Sequence, residues 1–355
     1  MAHIFKHPTE TNKGIIVLTH LEARWITTNA HAQEKLNKIT EDYFVGVHYG
    51  GFSKGSNLSS PYSFYMGLPS VVDISERNPN MFHIPLASGN FTSSKFCKNK
   101  KAQKYWDIIN VSRNGNVKKL QTFLREVKKI YDLGHEYNIL LVCASREEET
   151  DQDHFTNIAD VYYNSFSDKE RDMFTLLRLG KDLEFKGLSK KQLSFFYQSS
   201  KVNTLFSEME GFPGVIPEGM LCGLPTVVWS NQHGSARDFL TPENSVLFDS
   251  YNEAHKSLIH AVENYQSFEP EKTPQAILLK EENSMGTLKN YFSNLYAAHK
   301  QLFDGQLINT DDLVSRLPAH YVNLPWVPSR HGHGHVNDMD KFSIFCNNLR
   351  NVAHV

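Results

Sequence analysis

The chain has 355 residues, 40% of them hydrophobic and 21% charged, which leaves room for two domains that each bury a core and excludes wholesale disorder. A formal net charge of −2 excludes a global attraction to polyanions, so a nucleic acid or an anionic surface would have to be met by a local patch. Basic clusters do occur, at 95–104 and at Lys118, Lys119, Arg125, Lys128 and Lys129, and their plain reading is a solvated helix face.

Residues 1–14 are polar and lack the apolar core of a secretion signal, and no run approaches the ~18 apolar residues that span a bilayer. Cys97, Cys143, Cys222 and Cys346 have no paired spacing of the kind that marks a zinc site or a disulfide framework. A cytoplasmic protein is expected. The alternation at His331, His333 and His335 reads as an exposed glycine-rich loop, so no metal site is expected.

In chain order, short runs rich in Val, Ile and Leu predict buried parallel strands at 14–19, 44–48, 69–74, 107–111, 138–144, 202–207 and 225–229. Between them, Leu120, Phe123, Leu124, Val127, Ile130 and Tyr131 repeat at helical spacing and predict an amphipathic helix over 117–133. A further helix is expected near 285–302. Strand alternating with helix is the mark of βαβ units, so the fold class is α/β. Residues 1–96 read as a small α/β domain, 97–303 as a larger Rossmann-like domain, and 304–355 as a tail packing back on the first. The polar, basic stretch 93–105 suits a hinge.

The stretch 188–248 carries the most chemistry. A strand ending at Ser207 is followed by a loop holding Glu210, Gly211, Phe212 and Gly214, and then by a short helix that opens near Val215. Helix N-termini present N–H groups and partial positive charge to phosphates, and Gly211 and Gly214 let a ligand approach the backbone. Glu210 stands at the lip of this loop and Glu218 one turn inside the helix. A carboxylate accepts two hydrogen bonds and so suits the paired hydroxyls of a ribose or a hexose.

From Ser207 through Val228 the chain resembles the family 4 retaining glycosyltransferases, whose hallmark is a Glu-x7-Glu pair inside Ser-x-x-Glu-Gly-Phe, then Glu, then Gly-Leu-Pro. Upstream, Asn110-Val111-Ser112-Arg113 and Lys118 look like that family's strand-end arginine and nearby lysine. The resemblance implies a GT-B fold of two Rossmann-like domains facing across a cleft, the N-terminal one here unusually small. It also implies a UDP-sugar co-substrate, no further cofactor and no metal. Glu218 would hold the ribose and Glu210 the transferred sugar, while Arg113 and Lys118 neutralise the diphosphate, with Lys119 a near-equal candidate for the lysine. Gly234 looks like the family's glycine beside the donor sugar, with Arg237-Asp238 standing where an acidic residue usually follows. Donor contacts would then come from Glu218, Gly211, Phe212, Gly214, Val215, Lys119 and Gly234.

The first half departs from the family, having about 95 residues and no glycine-rich loop after the first strand. Acceptor-side candidates are His20 and His48, which end predicted strands, and Gly50 in the turn beyond, although a structural histidine remains a competing reading. The implied activity is transfer of a sugar from a nucleotide-diphosphate sugar to an acceptor hydroxyl, on a glycan or a lipid-linked saccharide. Three alternatives stay open at this stage: a glycosyltransferase acting on hydroxymethylated bases of phage DNA, a GT-B nucleotide-sugar epimerase, and an inactive sugar-binding protein.

Overall fold

A computed structural model describes residues 2–48, 61–68, 81–144, 152–179, 188–211, 213–308, 310, 313 and 339–353. The chain divides into two compact units, one formed by 1–91 together with 280–355 and the other by 92–279.

The first unit is built on a five-stranded sheet in the order β1 (Ala2–Lys6), β2 (Gly14–Thr19), β3 (Tyr43–His48), β4 (Phe64–Met66) and β5 (Phe82–Ile84). All neighbours are parallel except β1, which runs antiparallel to β2. Both faces of the sheet are covered, which is why its inner strands β2 and β3 are buried along their whole length rather than alternating. Ile16, Leu18, Val45 and Val47 meet the helices Ala30–Asp42 and Met339–Ala353 through Leu36, Ile39, Phe342 and Leu349. Ile15, Val17, Phe44 and Phe64 meet Leu288, Phe292, Leu295 and Tyr296 of the helix Glu281–Ala298.

The second unit holds six parallel strands in the order β11-β10-β9-β6-β7-β8. In chain order these are β6 (Trp106–Arg113), β7 (Ile139–Ala144), β8 (Phe174–Leu179), β9 (Ser200–Leu205), β10 (Thr226–Trp229) and β11 (Ser245–Phe248). One face of the sheet buries Ile108, Leu141, Val202 and Val227 under three helices, Leu120–Asp132, Gln152–Ser165 and Ala254–Glu263. The unit is a Rossmann-like sheet, and with the first it makes a mixed α/β protein with two parallel sheets.

Two boundaries differ from those the sequence suggested. Residues 93–105 belong to the second unit and are packed along its helix Lys190–Gln198: Phe96 meets the Tyr197 ring at 6.2 Å, the Ser194 hydroxyl donates to the Lys95 carbonyl at 2.7 Å, and Lys104 donates to the Gln198 and Ser200 carbonyls at 2.8 and 2.6 Å. Of the lysines that made this stretch look like a linker, Lys104 is held by backbone carbonyls and Lys98 by Glu271, while Lys95, Lys100 and Lys101 are exposed. Residues 280–303, placed with the Rossmann-like domain from sequence, belong to the first unit, because Phe292 and Tyr296 pack on Phe5 and Phe44 with ring centroids 5.4 and 5.0 Å apart. The strand expected at 69–74 and the histidines at 331, 333 and 335 lie outside the described residues.

Glu126, in the middle of the helix Leu120–Asp132, is fully buried. Its carboxylate accepts from Lys129 at 2.9 Å and from His255 Nδ1 at 2.8 Å, which ties this helix to Ala254–Glu263. Burial alone would raise its pKa, but the hydrogen bonds from Lys129 and His255 override it and hold the carboxyl below its ordinary range. Glu126→Ala leaves His255 without its partner and is expected to cost about 3 kcal/mol, read by urea denaturation. Because the folded pKa is depressed, the wild-type stabilisation is present above pH 4.5 and disappears as pH falls through the folded value, an acid sensitivity the variant lacks.

Candidate functional site

The chain leaves β6 toward β7 and β8, then crosses back to lay β9 on the other flank of β6. This reversal is a topological switch point, where the connections after two adjacent strands diverge and open a crevice beyond their carboxyl ends. Arg113 is the last residue of β6 and is exposed. Beyond it a single 3₁₀ turn, Asn116–Lys118, leads through Lys119 into the helix Leu120–Asp132. On the other flank, β9 ends at Leu205 and the loop carrying Glu208 and Glu210 follows.

Backbone hydrogen bonds lace together the loops that follow β6, β9 and β10. The Glu208 N–H donates to the Val117 carbonyl at 3.0 Å, the His233 N–H to the Glu208 carbonyl at 2.9 Å, and the Glu210 N–H to the His233 carbonyl at 2.9 Å. Gly234 follows at a φ of 131°, and a Cβ there would stand 1.7 Å from the Glu210 carbonyl oxygen. Only glycine permits both this backbone conformation and so close an approach.

Side chains bind the same loops. Lys118 forms an ion pair with Glu210, whose residue is 7% exposed, and Lys119 pairs with Glu208 at 2.9 Å. The two lysines that sequence could not separate thus have different work. Lys118 faces the buried glutamate, while Lys119, at a left-handed φ of 52°, makes the bend that opens the helix.

Glu218 lies on the seven-residue helix Val215–Leu221, whose N-cap is Gly214 and which no side chain caps. The Tyr197 hydroxyl donates to Glu218 Oε2 at 3.3 Å. Burial pushes the Glu218 carboxyl up to about 7, against the opposing pull of that hydrogen bond. The helix is fixed to the sheet by Asn203, whose amide donates to the Val215 carbonyl at 2.9 Å and the Thr226 hydroxyl at 3.2 Å. Gly219 lies against this amide so closely that a Cβ would come within 2.7 Å of its nitrogen.

Several buried polar atoms toward the carboxyl ends of β6, β9 and β10 have no hydrogen-bond partner among the described residues: Asn110 Oδ1, Ser207 Oγ, Ser230 Oγ and both amide atoms of Gln232. Buried polar groups are seldom left this way, so they are available to a bound ligand or to water. Asn203, Tyr197 and Gln232 were given no role from sequence, since Asn203 is a lone polar residue in an apolar run and Gln232 is one of several polar residues in a loop, and neither setting gives a spacing signal.

Of the other sequence candidates, Gly211, Gly214 and Val215 lie between Glu210 and Glu218, and Phe212 and Gly50 lie outside the described residues. In the first unit, β2 and β3 pair Thr19 with His48, so His20, the first residue of the helix His20–Thr27, stands beside the end of β3. His48 is 2% exposed, neither ring nitrogen has a partner among the described residues, and burial followed by the charge of His20 pushes its pKa down to about 3. Among the described residues no cluster of His, Cys, Asp or Glu could hold a metal ion, and no helix is long and apolar enough to cross a membrane.

Gly234→Ala should force the β10 loop away from Glu210 and lower stability by about 2 kcal/mol or more, visible as a fall in Tm. Glu218 predicts a pH effect of opposite sign to that of Glu126. Its folded pKa stands above the ordinary 4.5, so its contribution is fully present below pH 4.5 and is lost as pH rises through about 7. The ligand-free protein should therefore lose stability over this interval, and Glu218→Gln should flatten the slope.

Comparison with known proteins agrees with this architecture. A family model described as Glycosyl transferases group 1 matches residues 92–272, just over half of the chain. No curated protein matches the chain in sequence. Among solved structures, a sucrose-phosphate synthase from Thermosynechococcus elongatus superposes with a TM-score of 0.57 at 14% identity, covering 80% of this chain and 74% of its own. TarM gives a TM-score of 0.52 at 12% identity, covering 79% of this chain, and the pneumococcal O-GlcNAc transferase GtfA gives 0.50 at 12%, covering 74%. The chain spans 54% of the length of each of these two. At such identities the likeness speaks for the fold, which is GT-B with two Rossmann-like domains. On the family match, the chain belongs to the group 1 glycosyl transferases and is a glycosyltransferase enzyme.

Proposed function

We propose that the protein is a family 4 retaining glycosyltransferase that moves a sugar from a UDP-sugar to an acceptor hydroxyl on a glycan or lipid-linked saccharide. The observation that carries this reading is the convergence of Arg113, Lys118 and Glu210 at the switch point of the second unit's sheet, with Glu218 on the helix that follows. Support for UDP comes from the pneumococcal relative, whose structure is described in complex with UDP and GlcNAc.

On this reading the second unit binds the donor. Arg113 and Lys118 take the diphosphate, the part a metal ion plays elsewhere, and stabilise charge on the leaving oxygen more strongly as the bond breaks. Glu218 accepts the ribose hydroxyls, which favour its ionised form. Glu210, already neutralised by Lys118, serves as a hydrogen-bond acceptor for the transferred sugar rather than as a free nucleophile. Gly211, Phe212, Gly214 and Val215 let the donor approach the backbone, Lys119 steadies the loop through Glu208, and Gly234 seats the third loop against Glu210. In the transfer, the bond from the anomeric carbon to the phosphate oxygen breaks while the bond to the acceptor oxygen forms on the same face, and the acceptor proton passes to the departing phosphate. The first unit would recognise the acceptor through His20, His48 and Gly50. Four free cysteines suit the reducing cytoplasm.

Release of UDP from a panel of UDP-sugars, with simple sugars and lipid-linked saccharides as acceptors, tests the activity. Glu210→Ala and Lys118→Ala should each lower turnover by about 10²-fold or more, while no release with every donor, or undiminished turnover in both variants, would overturn the assignment.

A further inference from the structure

We propose that the face of the second unit where residues 95–106 lie along the helix Lys190–Gln198 docks on an anionic phospholipid surface. This surface reaches the amino ends of β6 and β9, where Trp106 opens β6 and Ser200 opens β9, and its helix borders the candidate site through Tyr197, which donates to Glu218.

The surface is formed by 95–106 lying along the helix Lys190–Gln198, held by Ser194 to the Lys95 carbonyl, by Gln198 to the Cys97 carbonyl at 2.8 Å, and by Lys104 to the Gln198 and Ser200 carbonyls. Its centre is a chain of aromatic rings. Tyr105 meets Trp106 at 6.1 Å, Trp106 meets Phe196 at 5.6 Å, and Phe196 neighbours Phe195 at 6.0 Å. The chain ends in two rings turned to solvent, Tyr105 at 51% and Phe195 at 53% exposure. Isolated exposed rings are common, but a connected run with both ends in water presents continuous apolar area.

The charge carried by the two segments themselves is of one sign, with Glu269 the acidic neighbour of Lys98 and Lys100. Residues 95–104 contain five lysines and 190–201 contain three, with no Asp or Glu in either segment, in a chain whose net charge is −2. Lys98 and Lys201 are engaged by Glu271 and Asp107, while Lys95, Lys100, Lys101 and Lys191 are exposed. Tyr, Trp and Phe settle at the headgroup level of a bilayer, and lysines close to them are attracted by anionic lipid, each worth about fivefold in partitioning. Nucleic acid is the less suitable partner, because phosphate and base recognition draws on the planar fork of arginine and these segments contain none.

The test is co-sedimentation of the full chain with vesicles of phosphatidylcholine alone and with one third phosphatidylglycerol, an assay independent of sugar transfer, so that its failure leaves the donor assignment untouched. Binding is expected only to the anionic vesicles. The combined reversal Lys100→Glu, Lys101→Glu and Lys191→Glu should weaken it by more than tenfold with Tm unchanged, whereas reversal at Lys169, Lys256 and Lys300 should retain it. Tyr105→Ser with Phe195→Ser should remove the part of the binding that survives high salt. Absence of binding, equal binding to neutral vesicles, an unaffected patch variant, or tighter binding to duplex DNA than to the vesicles would overturn the proposal.

Discussion

The site depends on one close approach, the backbone of Glu210 against Gly234. Where any other residue would thrust a methylene into the Glu210 carbonyl, glycine lets the loop after β10 lie flat on the loop after β9, and the alternating hydrogen bonds among Val117, Glu208, His233 and Glu210 become possible. A carboxylate on a free loop would sample many positions, and ordering it on binding would cost affinity. Here the ordering is done at folding, and the side chains that meet a ligand are carried on backbone with little freedom left.

The electrostatics of the site follow from burial. A buried charge is costly unless it is matched, so Lys118 is paired with Glu210, while burial drives Glu218 toward its neutral form against the pull of the Tyr197 hydroxyl and Lys190. Such an arrangement is close to neutral while empty, and a diphosphate arriving there would recruit cations from existing pairs. The lysines at the amino end of the sheet obey a different regime, in water, where attraction is long in range and yields to salt.

Much of the second unit was legible in the amino-acid sequence because parallel strands buried on both faces leave uninterrupted apolar runs, as at Ile139–Ala144, and because Leu120 to Tyr131 keep strict helical spacing. Ser207 to Val228 could be read because glycine and proline positions declare a turn before any contact is known. Other elements gave no such signal. β1 is a five-residue edge strand containing a histidine and a lysine, β4 and β5 have three residues each, and β8 has one flank exposed. The ties between Glu126 and His255, or between Asn203 and Val215, join residues far apart or of unremarkable type, and they exist only once the helices are packed. The lysines of 95–104 suggested a linker, whereas Phe96 is buried and Lys104 is held by the Gln198 and Ser200 carbonyls.

The second unit is a single uninterrupted stretch of chain, whereas the first is assembled from both ends. The early strands β1 to β5 have an apolar surface on each side, and two helices that cover those surfaces, Glu281–Ala298 and Met339–Ala353, follow the whole of 92–279 in the chain. A nascent chain can therefore complete its Rossmann-like sheet on the ribosome while the opening strands still await their cover, exposing Phe5, Phe44 and Phe64 for most of synthesis. The order of completion is thus the reverse of the order of synthesis: of the two units, the one whose strands emerge earlier is closed later, and the burden of protecting unfinished surface falls on those strands.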